Sequence, residues 1–194
     1  MTRLLDKLFA RDDHVCPWWM AWTFDNPLRK LYQEPERILG SFVREGMTVV
    51  DIGCGMGYFS VAMAKMIGPG GRVLSVDLQE KMLEYLRRRA SRAGMTDRIT
   101  TVLAEPDDIK ITELADFVLV FWMVHEVNDI PRFLGQVAVV LKPGGKVLYV
   151  EPRMHVTQKR FEEILGYAKD AGFAVNDYPR VGMSRSAVLE KAQA

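Results

Sequence analysis

The stretch Val49-Val50-Asp51-Ile52-Gly53-Cys54-Gly55-Met56-Gly57-Tyr58-Phe59-Ser60 sets three glycines at alternate positions between an apolar run and an amphipathic one. A strand, a tight turn and a helix following without a gap are the reading of that pattern. Glycine is needed where the chain bends sharply and where a ligand must lie against the main chain. The free N–H groups of the helix start favour electron-rich or anionic ligand groups. Twenty residues after Gly57, Asp77 closes the next apolar run, where an acid can accept hydrogen bonds from both hydroxyls of a ribose. A bare glycine cluster would be an ordinary loop. With its strand, helix and acid in place, this one predicts a nucleoside-containing cofactor. A dinucleotide site wants G-x-G-x-x-G, which would put glycine where Tyr58 stands. The tighter G-x-G-x-G, with Asp51 two residues ahead, suits a ligand that carries an ammonium group and no pyrophosphate.

Outward from this loop, short apolar runs alternate with amphipathic ones. Strands are expected at 48–52, 72–77, 99–103, 117–121 and 146–150, each rich in Val, Ile, Leu or Phe and free of interior proline. Helices are expected at 58–67, 79–93, 130–141 and 157–171, with Gly94 and Gly172 as stops. Alternation of this kind builds a parallel sheet with right-handed crossovers. The segments 173–178 and 185–189 have no helix between them and form an antiparallel pair. The fold class is therefore α/β: a Rossmann-like, seven-stranded, mostly parallel sheet with an antiparallel last strand and helices on both faces. Residues 1–46 form a separate aromatic-rich cap or lid with one helix near 35–44, and residues 47–194 form the main domain.

Composition narrows the function. The 194 residues carry 26 basic and 25 acidic side chains, a net charge of +1, so no general attraction to nucleic acid is expected. The longest strictly apolar run, 117–124, is too short to span a bilayer, and charges at Arg3, Asp6, Lys7 and Arg11 leave no room for a secretory signal. Two cysteines make no disulfide framework. A cytoplasmic, single-domain protein is the expectation, with its oligomeric state open.

In order along the chain, three further marks accompany the loop. Val49–Gly57 resembles the V-L-D-x-G-x-G-x-G motif of the class I S-adenosylmethionine-dependent methyltransferases. Ser75-Val76-Asp77-Leu78 resembles their ribose-binding strand end, and Leu141-Lys142-Pro143-Gly144-Gly145-Lys146-Val147 resembles their turn before the fifth strand. The terminal hairpin is similar to theirs as well. The resemblance runs over about residues 34–192. It implies S-adenosyl-L-methionine as cofactor and S-adenosyl-L-homocysteine as product. Gly53 and Gly55 would line the cofactor's amino-acid part, Gly57 would belong to the same cofactor-binding loop, Asp51 would anchor the loop or the ammonium, and Asp77 would hold the ribose. Leu78 and Phe121 would lie against the cofactor. Glu105, in competition with Asp107 and Asp108, would reach the adenine amino group.

For the acceptor, the ends of the fourth and fifth strands supply Trp122, His125, Glu126 and Glu151. His125 is the candidate general base, against the simpler reading of a histidine bonded locally at the rim. The family's Asn/Asp-Pro-Pro-Tyr signature for amino groups of bases is absent, since this stretch reads Phe121-Trp122-Met123-Val124. Trp18 and Trp22, in the segment 14–24, are expected to form an aromatic lid over the substrate, the alternative being a plug on the sheet edge. His14 and Cys16 match no zinc framework, so no metal is expected. Arg87-Arg88-Arg89 with Arg92 reads as a solvated helix face. The function expected is in-line methyl transfer to a small molecule. The alternative is a catalytically silent S-adenosylmethionine-binding sensor or partner subunit.

Overall fold

In the computed structural model, residue 29 and residues 32–191 are described. The aromatic segment with Trp18 and Trp22, and with it His14 and Cys16, lies outside the described residues. The chain runs α1 (Pro35–Leu39), β1 (Thr48–Ile52), α2 (Tyr58–Met66), β2 (Arg72–Asp77), α3 (Glu80–Ala93), β3 (Ile99–Leu103) and β4 (Ala115–Phe121). It continues through α4 (Ile130–Val140), β5 (Leu141–Pro152), α5 (Gln158–Asp170), β6 (Phe173–Asp177) and β7 (Ser184–Lys191). One seven-stranded sheet has the order β3-β2-β1-β4-β5-β7-β6. The pairs from β3 to β5 are parallel, and β7 runs antiparallel to both β5 and β6.

The alternation of side chains along each strand sorts the core into two layers. Val50, Ile52, Val118, Val120, Val147 and Tyr149 point to the face covered by α4 and α5, where Phe133, Val137, Phe161 and Ile164 meet them. Val49, Phe117, Leu119, Phe121 and Leu148 point to the opposite face, against Leu39 of α1 and Phe59 and Met63 of α2. Both faces are dry, which is why the central strands read as unbroken apolar runs. Helix α3 packs Leu83 and Leu86 against Val61 and Cys54. Gly94 ends α3 in the left-handed region at φ 67°.

Three expectations are corrected. The first helix stops at Leu39 and does not reach residue 44, because Gly40 begins a turn closed by Phe42 and Val43 N–H groups on the Leu39 carbonyl. Lys142-Pro143-Gly144-Gly145 does not precede β5 but lies within it, as a bulge. Between the pairs Ala115↔Leu141 and Phe117↔Lys146, two steps on β4 face five on β5. Finally, the arginines of α3 are not all solvated. Arg89 is half-buried and its Nη1 donates to the Met56 carbonyl at 3.1 Å, fastening α3 to the glycine loop.

Candidate active site

The crossover between β1 and β4 sits at the sheet's switch point, since β2 leaves on one side of β1 and β4 pairs on the other. There the glycine loop emerges. Gly53 and Cys54 N–H groups both donate to the Val76 carbonyl, at 2.9 and 3.0 Å, so the loop folds back over the end of β2. The three glycines serve different needs. At Gly53 an added Cβ would stand 2.8 Å from Met123 Cγ, and at Gly57 (φ 81°) it would stand 2.1 Å from Leu86 Cδ1. Close packing therefore excludes a side chain at both. At Gly55 (φ 52°) nothing lies within 4 Å of such a Cβ. That position faces open space, as a ligand cradle must.

Asp77, at the end of β2, is buried to 9% exposure. Its Oδ2 accepts from Gly55 N–H and its Oδ1 from Gln79 N–H, each at 2.9 Å. Burial raises its pKa, with the backbone N–H groups of Gln79, Gly55 and Leu78 pulling the other way. Each oxygen keeps a second lone pair for a hydroxyl. Asp77 thus ties the glycine loop to β2 as well as facing the cradle. Leu78 beside it is 40% exposed, an apolar side chain held at the surface next to the loop. Asp51 is 2% exposed and accepts from Ser60 Oγ of α2 at 2.5 Å. Burial is the main cause of its raised pKa, to about 6. Ser60 and the Arg29 charge lower it, and Asp77 raises it. A cationic ligand group would find there a carboxyl ready to ionise.

Glu105 is exposed and caps a narrow turn. Its N–H donates to the Asp108 carbonyl, and Lys110 Nζ lies 3.1 Å from both the Glu105 and Asp108 carboxylates. Asp107 leans towards Arg132 instead, at 4.0 Å. Ala104 N–H donates to the Asp77 carbonyl, which sets Glu105 just past the ribose-side acid.

On the other side of the switch point, β4 ends in Phe121 and the chain turns abruptly. Trp122 takes φ 60°, a left-handed conformation that costs a bulky residue of the order of 1–3 kcal/mol. Its backbone N–H donates to the Val150 carbonyl (2.8 Å) and its indole N–H to Ser184 Oγ (2.9 Å), two bonds that hold the strained turn. Phe121 packs between Phe59 and Trp122, with ring centroids 4.5 and 5.5 Å away.

The turn carries His125 onto Glu151 at the end of β5. His125 Nδ1 lies 2.6 Å from Glu151 Oε2, and its backbone N–H donates to Oε1 at 3.2 Å. Glu151 is completely buried. A carboxylate accepting at Nδ1 places the imidazole proton there and leaves Nε2 as the basic nitrogen. Glu126 lies 3.9 Å from Nε2, and the His155 ring centroid is 5.4 Å from that of His125. Burial depresses the His125 pKa. The Glu151 hydrogen bond and charge, with the Glu126 charge, outweigh it, so the net shift is upward. The structure thus brings together His125, Glu126 and Glu151, which the sequence named separately, and it adds Ser60, Arg29 and Gln33. Nothing in the sequence marked Arg29 or Gln33. Ser60, one turn into the helix after the loop, is the position from which a hydroxyl can reach back to the strand-end acid.

The chain is similar in sequence and fold to known proteins. A family model described as a methyltransferase domain fits residues 49–145, half of the chain. A demethylmenaquinone methyltransferase of Symbiobacterium thermophilum is 34% identical over 117 residues, covering 60% of this chain and 47% of that protein. A ubiquinone/menaquinone biosynthesis C-methyltransferase, UbiE, of Enterobacter sp. is 29% identical over 143 residues, 73% of this chain and 55% of the other. The chain spans about half the length of these relatives. The crystal structure of a SAM-dependent methyltransferase from Aquifex aeolicus superposes with a TM-score of 0.80 at 26% identity, covering 91% of this chain and 98% of that one. With an open cradle at Gly55, an acid at each of two strand ends and the antiparallel β7, the chain belongs to the methyltransferase-domain family, the class I S-adenosylmethionine-dependent methyltransferases.

Proposed function

We propose that the chain transfers a methyl group to an acidic carbon or an oxygen of a small-molecule acceptor, with His125 removing the acceptor's proton. Bound S-adenosylmethionine supplies an electrophilic methyl group on a cationic sulfur. The loop of Gly53, Gly55 and Gly57, open at Gly55, takes the amino-acid end, and Asp77 and Leu78 hold the nucleoside. Glu105 lies towards the adenine, and Asp51 takes the ammonium. Phe121 closes the inner wall. On the acceptor side Trp122 and Glu126 bound the pocket. Glu151 fixes the imidazole so that Nε2 meets the acceptor, and it stabilises the imidazolium once the proton has moved.

The carrying observation is the meeting of the two halves. Met123 packs so tightly on Gly53 that a Cβ there would be 2.8 Å away, and two residues further His125 is pinned by a fully buried carboxylate. A base held this way beside a cofactor loop favours acceptors whose nucleophile must lose a proton. The relatives' names put quinone-type rings, methylated at carbon, first among those to test. The near-neutral charge and the missing Asn/Asp-Pro-Pro-Tyr signature speak for a small molecule over nucleic acid. Among the described residues no helix is long and apolar enough to cross a membrane.

The test is incubation with methyl-labelled cofactor and a panel of reduced demethylated quinones, hydroxylated aromatics and amines. Label should appear in an acceptor of the first two groups, in proportion to S-adenosylhomocysteine formed. Transfer to amines alone, or none with cofactor bound, contradicts the proposal.

A further inference from the structure

Glu151 is completely buried, and among the described residues it accepts hydrogen bonds from His125 alone, from the backbone N–H and at Nδ1. An ionised carboxylate offers about four acceptor sites. A buried charge whose remaining lone pairs find no donor is costly, so a further partner is called for. The turn that carries His125 adds to the need, since it also brings Glu126, a second acid, to 3.9 Å from His125 Nε2.

Two buried polar atoms nearby have no hydrogen-bond partner among the described residues, Arg185 Nη1 and Tyr149 Oη. Arg185 is the residue of β7 directly opposite Glu151, and Tyr149 precedes Glu151 by two residues on β5, opposite Ala187. Side chains directly opposite in an antiparallel pair share a face, as do residues two apart on one strand. All three side chains therefore emerge on the side covered by α5. There the Tyr149 ring stacks on Phe161, with centroids 5.1 Å apart, and Arg185 Nε donates to Gln158 Oε1 at the start of α5, at 3.1 Å. Burial pushes the Tyr149 pKa up, and the Glu151 charge adds to this against the Arg160 charge, so the hydroxyl stays protonated and can donate. The other titratable groups around the pair are already engaged: the His155 ring lies 5.4 Å from that of His125, and Arg160 pairs with Glu163 at 2.8 Å. Arg185 keeps a buried nitrogen uncommitted. One buried water reached by that nitrogen, the Tyr149 hydroxyl and a lone pair of Glu151 would have the three polar partners that such waters take.

We infer that Arg185 is a positioning residue: through a buried water shared with the Tyr149 hydroxyl it balances the Glu151 carboxylate, and so holds that carboxylate on His125 with Nε2 left free. The inference rests on the proposed function for what Nε2 does. The charge link itself needs no acceptor.

Nuclear magnetic resonance of the imidazole groups in the full chain, followed as pH is changed, tests it without a substrate. The sequence holds three histidines, so the His125 signal is identified by its loss in His125→Gln. Removing the Arg185 cation leaves the Glu151 charge free to favour the imidazolium, so Arg185→Met should raise the His125 midpoint by about half a pH unit or more. Arg185→Lys should return most of the parent value, and Tyr149→Phe should give a smaller rise. With Glu151→Gln already in place, Arg185→Met should no longer move the midpoint, a dependence that direct repulsion between Arg185 and His125, or packing alone, would not produce. Arg185→Gln carries the test should Arg185→Met lack the parent's unfolding transition. A midpoint left unmoved by both the Arg185 and the Tyr149 variants, or a rise undiminished by Glu151→Gln, overturns the inference while leaving the function standing. A rise that Glu151→Gln abolishes, in a chain that transfers methyl to no acceptor, supports the charge link and overturns the proposed function instead.

Discussion

The two halves of the site are built differently. From β1 to β2 the cofactor side is made of main chain: Gly53 and Cys54 N–H groups on the Val76 carbonyl, Gly55 N–H on Asp77, a positive φ at each loop glycine. From β4 to β7 the acceptor side is made of side chains that meet across the sheet. These are His125 on Glu151, 26 residues apart, and Trp122 on Ser184, 62 apart. A main-chain site depends on which residues lack a Cβ, and a substitution there is felt first as strain. A side-chain site depends on partners, and a substitution there changes chemistry while the fold stands.

The comparison breaks most visibly on the acceptor side. His125→Gln should lower kcat/KM about 10²- to 10⁴-fold, the range for loss of a general base, with the unfolding midpoint nearly unmoved. In the parent, kcat/KM should rise with pH and level off above a midpoint higher than 6.5, because the base must be neutral and its pKa is raised. Glu151→Gln should move that midpoint down. A pH profile unchanged by Glu151→Gln would mean that this contact only packs.

On the main-chain side, Gly57→Ala should cost roughly 3 kcal/mol in denaturant unfolding, by adding a left-handed alanine to a clash with Leu86. Gly55→Ala sharpens the contrast. It should cost only about 1 kcal/mol of stability, for the conformation alone, yet weaken S-adenosylhomocysteine about tenfold or more by filling the cradle. Were the two glycines to lose stability alike and Gly55→Ala to bind normally, the division between packing and cradle glycines would be wrong.

The smallest effect expected is on pH. The neutral form of Asp51 is favoured in the folded chain, with a pKa of about 6 against 3.8 for an unperturbed group. Its contribution to stability is complete below the lower value and is lost as pH rises through the upper one. A ligand ammonium stabilises the ionised form, so S-adenosylhomocysteine affinity should rise severalfold as pH goes from about 5 to 7. Asp51→Asn should flatten that slope.

Legibility followed the same division. The strands 48–52, 72–77 and 99–103 could be read to the residue: the first two are mostly buried apolar runs stopped by glycine or charge, and the third, at the sheet edge and only partly buried, is a β-branched run that starts after Arg98. The three loop glycines and Asp77 stood out because backbone demands leave marks at fixed spacing. What could not be read was the Glu151 partnership. One β5 residue and one residue after β4 meet only because those strands are parallel neighbours, and spacing along the chain does not encode that register. The bulge at 142–145 was hidden for a related reason: Pro143-Gly144-Gly145 looks like a turn in any context, and only pairing with β4 makes it an insertion in a strand. Arg29 and Gln33 left no pattern at all, being defined by what folds against them.

A crystal structure of the chain with S-adenosylhomocysteine tests the central claim, that a main-chain cradle and a side-chain base face one another across the switch point. The ribose hydroxyls should lie on Asp77, and the sulfur should be on the side of the loop that faces His125 and Glu151. A cradle without the nucleoside at saturating ligand, or a sulfur turned away from His125, would contradict it.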